Sequence, residues 1–234
     1  MDRPAQAPLI LRWQQPDRPL PLRPVTAPGP SRPHAPDAPP WWGSGPADRP
    51  FDFGAHVRRL CADMVRHTPE LRHIDVSRVL FGVLQARSAR RHGLQARVTP
   101  LRFRGGALTA TRRGVPYQIQ RVIVDGREML YLMAFCLPRF LDQDFDDKMI
   151  TLFHELYHIG PAFDGDLRRH EGRCAMHTHS KRQYDAHMAH FARAYLTNGA
   201  DHSLHSFLRL NFAQLRHRHG AVLGAAAAAH PRGR

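Results

Sequence analysis

The sequence predicts an α+β fold: a small mixed or antiparallel sheet packed against one helix that bears an HExxH motif, with further helices after it. One pattern predicts the sheet and another the helices. Residues 74–135 hold short apolar or alternating runs separated by Gly-Gly and Asp-Gly turns. Residues 53–67, and again 145–158 and 184–215, repeat apolar side chains at helical spacing.

Residues 1–50 carry 14 of the 20 prolines, including Pro19-Leu20-Pro21 and Pro39-Pro40, without a sustained apolar period, and read as a disordered Pro-rich arm. The arm holds all three tryptophans, Trp13, Trp41 and Trp42, which either dock a partner or are incidental. The domain is expected over 51–220. Phe53, Val57, Leu60, Cys61, Met64 and Val65 make a first helix over Phe53 to His67, ended by Thr68-Pro69. Ile74 to Gln85 is largely apolar and reads as a central strand, and Gln95 to Phe103 as another, with Gly105-Gly106 as a turn. Tyr117 to Val124 and Arg127 to Phe135 flank Asp125-Gly126, the strongest short hairpin signal, because both turn residues tolerate positive φ. The hairpin leads into the motif helix, so the last strand before that helix is expected at a sheet edge, where a peptide could add as a strand. Ser180 to Leu196 and Ser203 to Arg218 read as two more helices, the first with a stripe of Tyr184, His187, Met188, Phe191 and Tyr195. Residues 221–234, with five consecutive alanines, read as a flexible tail.

The chemistry sits at His154-Glu155-Leu156-Tyr157-His158. Met149, Leu152, Phe153 and Leu156 form the buried stripe of a helix, and Thr151, His154, Glu155 and His158 fall on another face. Asp144 or Asp146 is placed to cap its start, and Gly160-Pro161 to stop it. Two histidines four residues apart project from one face, close enough to share a tetrahedral Zn²⁺, and Glu155 is placed to take a proton from the metal-activated water. The chain has 17 histidines, which raises the chance of an accidental match, but glutamate is scarce: only Glu70, Glu128, Glu155 and Glu171 occur.

A catalytic zinc site needs a third protein ligand. Asp164 lies six residues after His158, whereas His177 and His179 precede Ser180, a candidate N-cap with Gln183 completing a capping box. In an extended segment His177 and His179 point opposite ways, so at most one faces the metal. His170 and Glu171 rank lower, behind the basic pair Arg168-Arg169.

The run Thr151-Leu-Phe-His-Glu-Leu-Tyr-His-Ile159, then Phe163-Asp-Gly-Asp-Leu-Arg-Arg169, Gly172-Arg173, His177-Thr-His-Ser180 and Tyr184-Asp185, resembles the phage metallopeptidase family of phages and bacteria. More widely the motif resembles the zincins, with SprT-like proteases as a distant comparison. The resemblance implies a zincin-like fold and a zinc-dependent peptidase in which His154, His158 and His177 bind Zn²⁺, with His179 and then Asp164 as alternatives, and Glu155 is the general base. Gly165, Asp166, Arg168 and Arg169 would form an ordered loop beside the site. Tyr157 reads as packing, and Tyr184 as a residue that could reach the oxyanion. Rival readings are a non-catalytic, zinc-stabilised DNA-associated module and a zinc hydrolase of a non-peptide bond.

Composition narrows the partners. No apolar stretch is long enough for a membrane span and no signal core is visible. Cys61, Cys136 and Cys174 are odd in number and not spaced as ligand pairs, which fits a reducing cytoplasmic setting. The net charge of +14, almost all arginine, allows nucleic acid as a partner beside a protein or peptide substrate, although an arginine-rich composition also follows from a GC-rich genome.

Overall fold

The computed structural model describes residues 10–13, 22–27, 41–88, 92–169 and 181–227. Its strands are β1 (Ile10–Trp13), β2 (Leu22–Pro24), β3 (Phe51–Asp52), β4 (Val79–Gln85), β5 (Ala96–Pro100), β6 (Thr109–Arg112), β7 (Val115–Gln118), β8 (Arg121–Val124), β9 (Arg127–Met129), β10 (Tyr131–Leu137) and β11 (Val222–Ala225). Its helices are α1 (Phe53–His67), α2 (Phe145–Tyr157), α3 (Lys181–Thr197), α4 (His202–His205) and α5 (Phe212–His219). The class is therefore mixed α+β with small sheets.

Helix α1 has the bounds expected of it. The Asp52 carboxylate accepts from the Ala55 amide to start it, and Thr68-Pro69 leaves the helical region to end it. Its stripe of Phe53, Val57, Leu60, Cys61 and Met64 is fully buried. The main sheet runs β4-β10-β5, with β10 parallel to β4 and antiparallel to β5. Here the order differs from expectation: β10, the last strand before α2, is the middle strand, β4 is lateral to it, and the edge beside α2 is β5. The reason is that Leu130 interrupts the expected long hairpin. Asp125 (φ 49) and Gly126 (φ 76) do form the turn between β8 and β9, but the chain then leaves that pair to enter the main sheet as β10. Tyr117 likewise belongs to a different hairpin, β6–β7, turning at Arg113-Gly114.

Two parts expected to lack structure contribute strands. Val222–Ala225 pairs with both β2 and β3, and Val222, with Val25 from the Pro-rich region, is buried in the core. Ala226 then bridges Val83, so this end of the chain covers the side of β4. Such short pairings carry no local periodicity; they exist because distant segments meet. The approach is close enough that a Cβ on Gly224 would overlap the Val83 side chain. The long helix expected over 203–218 is split. Asn211 and Gln214 form a capping box that starts α5 afresh, while the carbonyls of Leu208 and Leu210 turn to accept from Lys148 Nζ at 2.8 and 2.9 Å. Lys148 is buried on α2, and burial pushes its amine down to about 7. No helix of the described residues is long and apolar enough to cross a membrane.

His205 is 1% exposed and packs among the rings of Phe145, Tyr195 and His202. Neither ring nitrogen has a hydrogen-bond partner among the described residues. Burial, and then the charges of His202 and Arg209, push its pKa down to about 4.

Two outcomes test this packing. Gly224→Ala should destabilise the fold by about 1–3 kcal/mol, and Val83→Ala should recover part of that loss in a double-mutant cycle by urea denaturation. An unfolded histidine takes its proton near pH 6.5. Between that pH and about 4 the unfolded chain therefore binds more protons than the folded one, and His205 makes stability fall as pH falls. His205→Phe should shrink the stability difference between pH 7 and pH 4.5 by about 2 kcal/mol.

Candidate metal centre

Helix α2 presents the motif because its opposite face has no choice but the core. Met149, Leu152, Phe153 and Leu156 are completely buried there. Asp144 stands at the N-cap position without a side-chain cap bond, while Asp146 and Asp147 place negative charge in the first turn, favourable to the helix dipole. The helix runs through Tyr157, with His158 as its C-cap. On the face turned from the core stripe the imidazoles of His154 and His158 have centroids 4.6 Å apart and planes at 81°. Glu155 points toward the sheet. Its Oε2 accepts from the backbone amide of Val98 in the edge strand β5 at 2.6 Å. Burial pushes the Glu155 carboxyl up to about 7, against the opposing pull of that amide.

Helix α3 closes the other side. The buried ring of Tyr184 lies 4.8 Å from that of His154, edge-on at 74°, and 5.8 Å from that of His158, stacked at 20°. Burial, joined by the nearby Tyr157 and Glu155, pushes the Tyr184 phenol above its ordinary pKa. Tyr184 thus touches both histidines of the motif. Tyr157 has the packing role expected of it, against Tyr184, His187 and Phe191. Met188, Phe191 and Tyr195 continue the buried stripe, but His187 is exposed at its margin.

The segment after α2 folds back and holds the helix end. Ile159 and Leu167 form an antiparallel bridge, and the Arg168 amide donates to the His158 carbonyl at 2.7 Å. Arg168 Nε donates to the Tyr157 carbonyl at 2.8 Å, and the guanidinium carbon lies 4.1 Å from the centre of the Tyr157 ring. Two carbonyls left over at a helix C-terminus thereby gain donors, one of them charged. The loop is anchored from beneath by Tyr131 of β10, whose hydroxyl donates to the Asp166 carbonyl and accepts from the Gly165 amide. The Asp166 carboxylate accepts from Leu167, Gly105 and Arg169. Gly165 has φ 93, and a Cβ there would overlap the Arg102 side chain, so both conformation and space demand glycine. Gly165, Asp166, Arg168 and Arg169 accordingly form one ordered loop at the end of the motif helix.

The structure brings His154, Glu155, His158 and Tyr184 together. Asp164 lies in the loop, where its Oδ1 accepts from the Asp166 amide at 3.0 Å. His177 and His179, like His170 and Glu171, lie outside the described residues. Among the described residues no group of three or more His, Cys, Asp and Glu could hold a metal ion. Two imidazoles on one helical face, with a carboxylate beside them engaged by a backbone amide, are donors of the kind that suit zinc. The Val98 amide was invisible to sequence reading because a backbone donor has no letter, and Tyr131 read only as part of an apolar run. No family model, curated protein or solved structure matches the chain.

Arg168→Ala removes the stacked guanidinium and the bond to the Tyr157 carbonyl. It should lower stability by about 1–3 kcal/mol, read from thermal or urea unfolding of metal-free protein, and Arg168→Lys should recover only part of it.

Proposed function

We propose that this chain is a zinc-dependent metallopeptidase of zincin-like fold, related to the phage metallopeptidases that its motif string resembles. The observation that carries the reading is the placing of three side chains within two turns of α2: paired imidazoles on one face, and a buried carboxylate directed at an edge strand rather than at solvent. His154 and His158 would hold the ion, with the third ligand drawn from His177, or else from His179 or Asp164. When bound, zinc acts as a Lewis acid on the scissile carbonyl and lowers the pKa of its water toward about 7.

Glu155 is the general base. Its Oε2 is engaged by the Val98 amide, which leaves Oε1 to take the proton of the attacking water and to return it to the leaving amine. A ligand-only structural site has no use for a carboxylate beside its histidines, and this favours an enzyme over a zinc-stabilised binding module. The substrate position follows from the same contact. The Val98 amide points out from the side of β5 turned away from β10, so a peptide added along the rest of that edge, next to the amide that Glu155 holds, would pass beside Glu155. Arg168 and the Tyr131-anchored loop keep the C-terminal turn of α2, and with it His158, in register with Glu155.

Zinc-loaded protein should hydrolyse peptides, and Glu155→Gln should slow this by about 10²-fold or more while zinc content by elemental analysis is unchanged. His158→Ala should lose the zinc itself. Folded wild-type protein that binds no zinc would overturn the proposal, as would undiminished hydrolysis by Glu155→Gln. Turnover confined to esters or other non-peptide bonds would replace the peptidase with a different zinc hydrolase.

A further inference from the structure

We infer that the β6–β7 hairpin is a binding surface for single-stranded nucleic acid, separate from the proposed zinc site. The two strands pair only with each other and form a sheet of their own. Their turn is of the two-residue kind, with positive φ at both Arg113 (50) and Gly114 (76), so arginine stands at the tip of a ribbon. Residues 111–118 are all exposed. The register pairs Ala110 with Tyr117 and Arg112 with Val115, which puts these four side chains on one face. On that face Val115 is 51% and Tyr117 49% exposed, the two most exposed large hydrophobic side chains among the described residues. The Arg112 guanidinium extends the face toward the base of the ribbon, 5.7 Å from the centre of the Phe103 ring.

Charge selects the partner. From Phe103 to Val124 the chain has no acidic residue. Arg121 is neutralised by Glu128, but Arg104, Arg112 and Arg113 have no ion pair among the described residues. A free tyrosine ring and an apolar neighbour beside the cationic Arg112 and Arg113 offer a base-stacking surface and phosphate contacts at the same time. An acidic peptide would use the arginines and leave the ring idle. An anionic membrane would want more apolar side chains than Val115, Pro116 and Tyr117. A duplex keeps its base faces stacked away from Tyr117, so a single strand uses the surface most fully. Thr109, Thr111 and Gln118 on the reverse face add neutral donors, and the net charge of +14 draws a polyanion in from a distance.

The test is fluorescence anisotropy with a labelled oligothymidylate on the full chain, between 50 and 200 mM salt. Arg112→Ala/Arg113→Ala should weaken binding about tenfold at low salt and flatten the plot of log K against log salt by about 1.4, since each phosphate contact on a single strand contributes about 0.7. Tyr117→Thr keeps a strand-favouring residue but removes the ring; it should weaken binding about tenfold and leave the slope unchanged. The control is Arg58→Ala/Arg59→Ala on α1, also an exposed pair, which should change binding less than threefold. Equal losses from both arginine pairs would overturn the proposal by showing diffuse attraction. It is overturned equally if Tyr117→Thr binds as wild type, or if vesicles rich in phosphatidylserine bind and the oligonucleotide does not. Glu155→Gln should bind the oligonucleotide normally, so failure of this surface and failure of the peptidase reading are separate results.

Discussion

A buried carboxylate must find a donor, and in this protein one donor sets the rotation of the motif helix. Glu155 is almost wholly buried, and the Val98 amide lies on the side of β5 turned away from β10. Once that bond forms, Met149, Leu152, Phe153 and Leu156 must face the core, and His154 and His158 must face α3. A rotation of α2 by one residue would turn a histidine into the apolar core and take the carboxylate away from its donor. The same contact raises the cost of error and gives the helix a single orientation.

The loop after α2 serves the same end from another direction. A helix that stops beside His158 leaves carbonyls bare at its last turn. Arg168 supplies donors to two of them, and its planar group covers the Tyr157 ring, which in turn packs on α3. Tyr131 joins this loop to the middle strand of the sheet. Sheet, loop and α3 therefore bear on one helical turn, and none of the three holds it alone.

The residues that were legible in the sequence share a property: their signal is local. The apolar period of α1 marked both of its ends, the Asp125-Gly126 pair marked its turn, and the motif with its buried stripe marked α2. What was illegible depends on contacts between distant segments. The hydrophobic run of Tyr131–Leu137 reads equally as the far arm of a hairpin or as a central strand, and only the neighbouring β4 and β5 decide it. Val222–Ala225 contains a glycine and ends in an alanine, so nothing in it marks a strand until β2 and β3 lie alongside. The break before α5 was readable in principle from Asn211 and Gln214, but the apolar stripe running past them masked the capping box. For the site, the side chains were legible and the backbone donor to Glu155 was not.

The pairing of Val83 with Ala226 spans about 140 residues of sequence, and it shields the side of β4 turned away from β10. During synthesis this flank stays open until nearly the whole domain has left the ribosome, and an open strand flank recruits other chains. The late segment therefore acts as a guard against aggregation as well as a part of the fold. Its small residues, Gly224 and Ala225 to Ala227, let it close over a sheet that is already packed, without repacking what lies beneath.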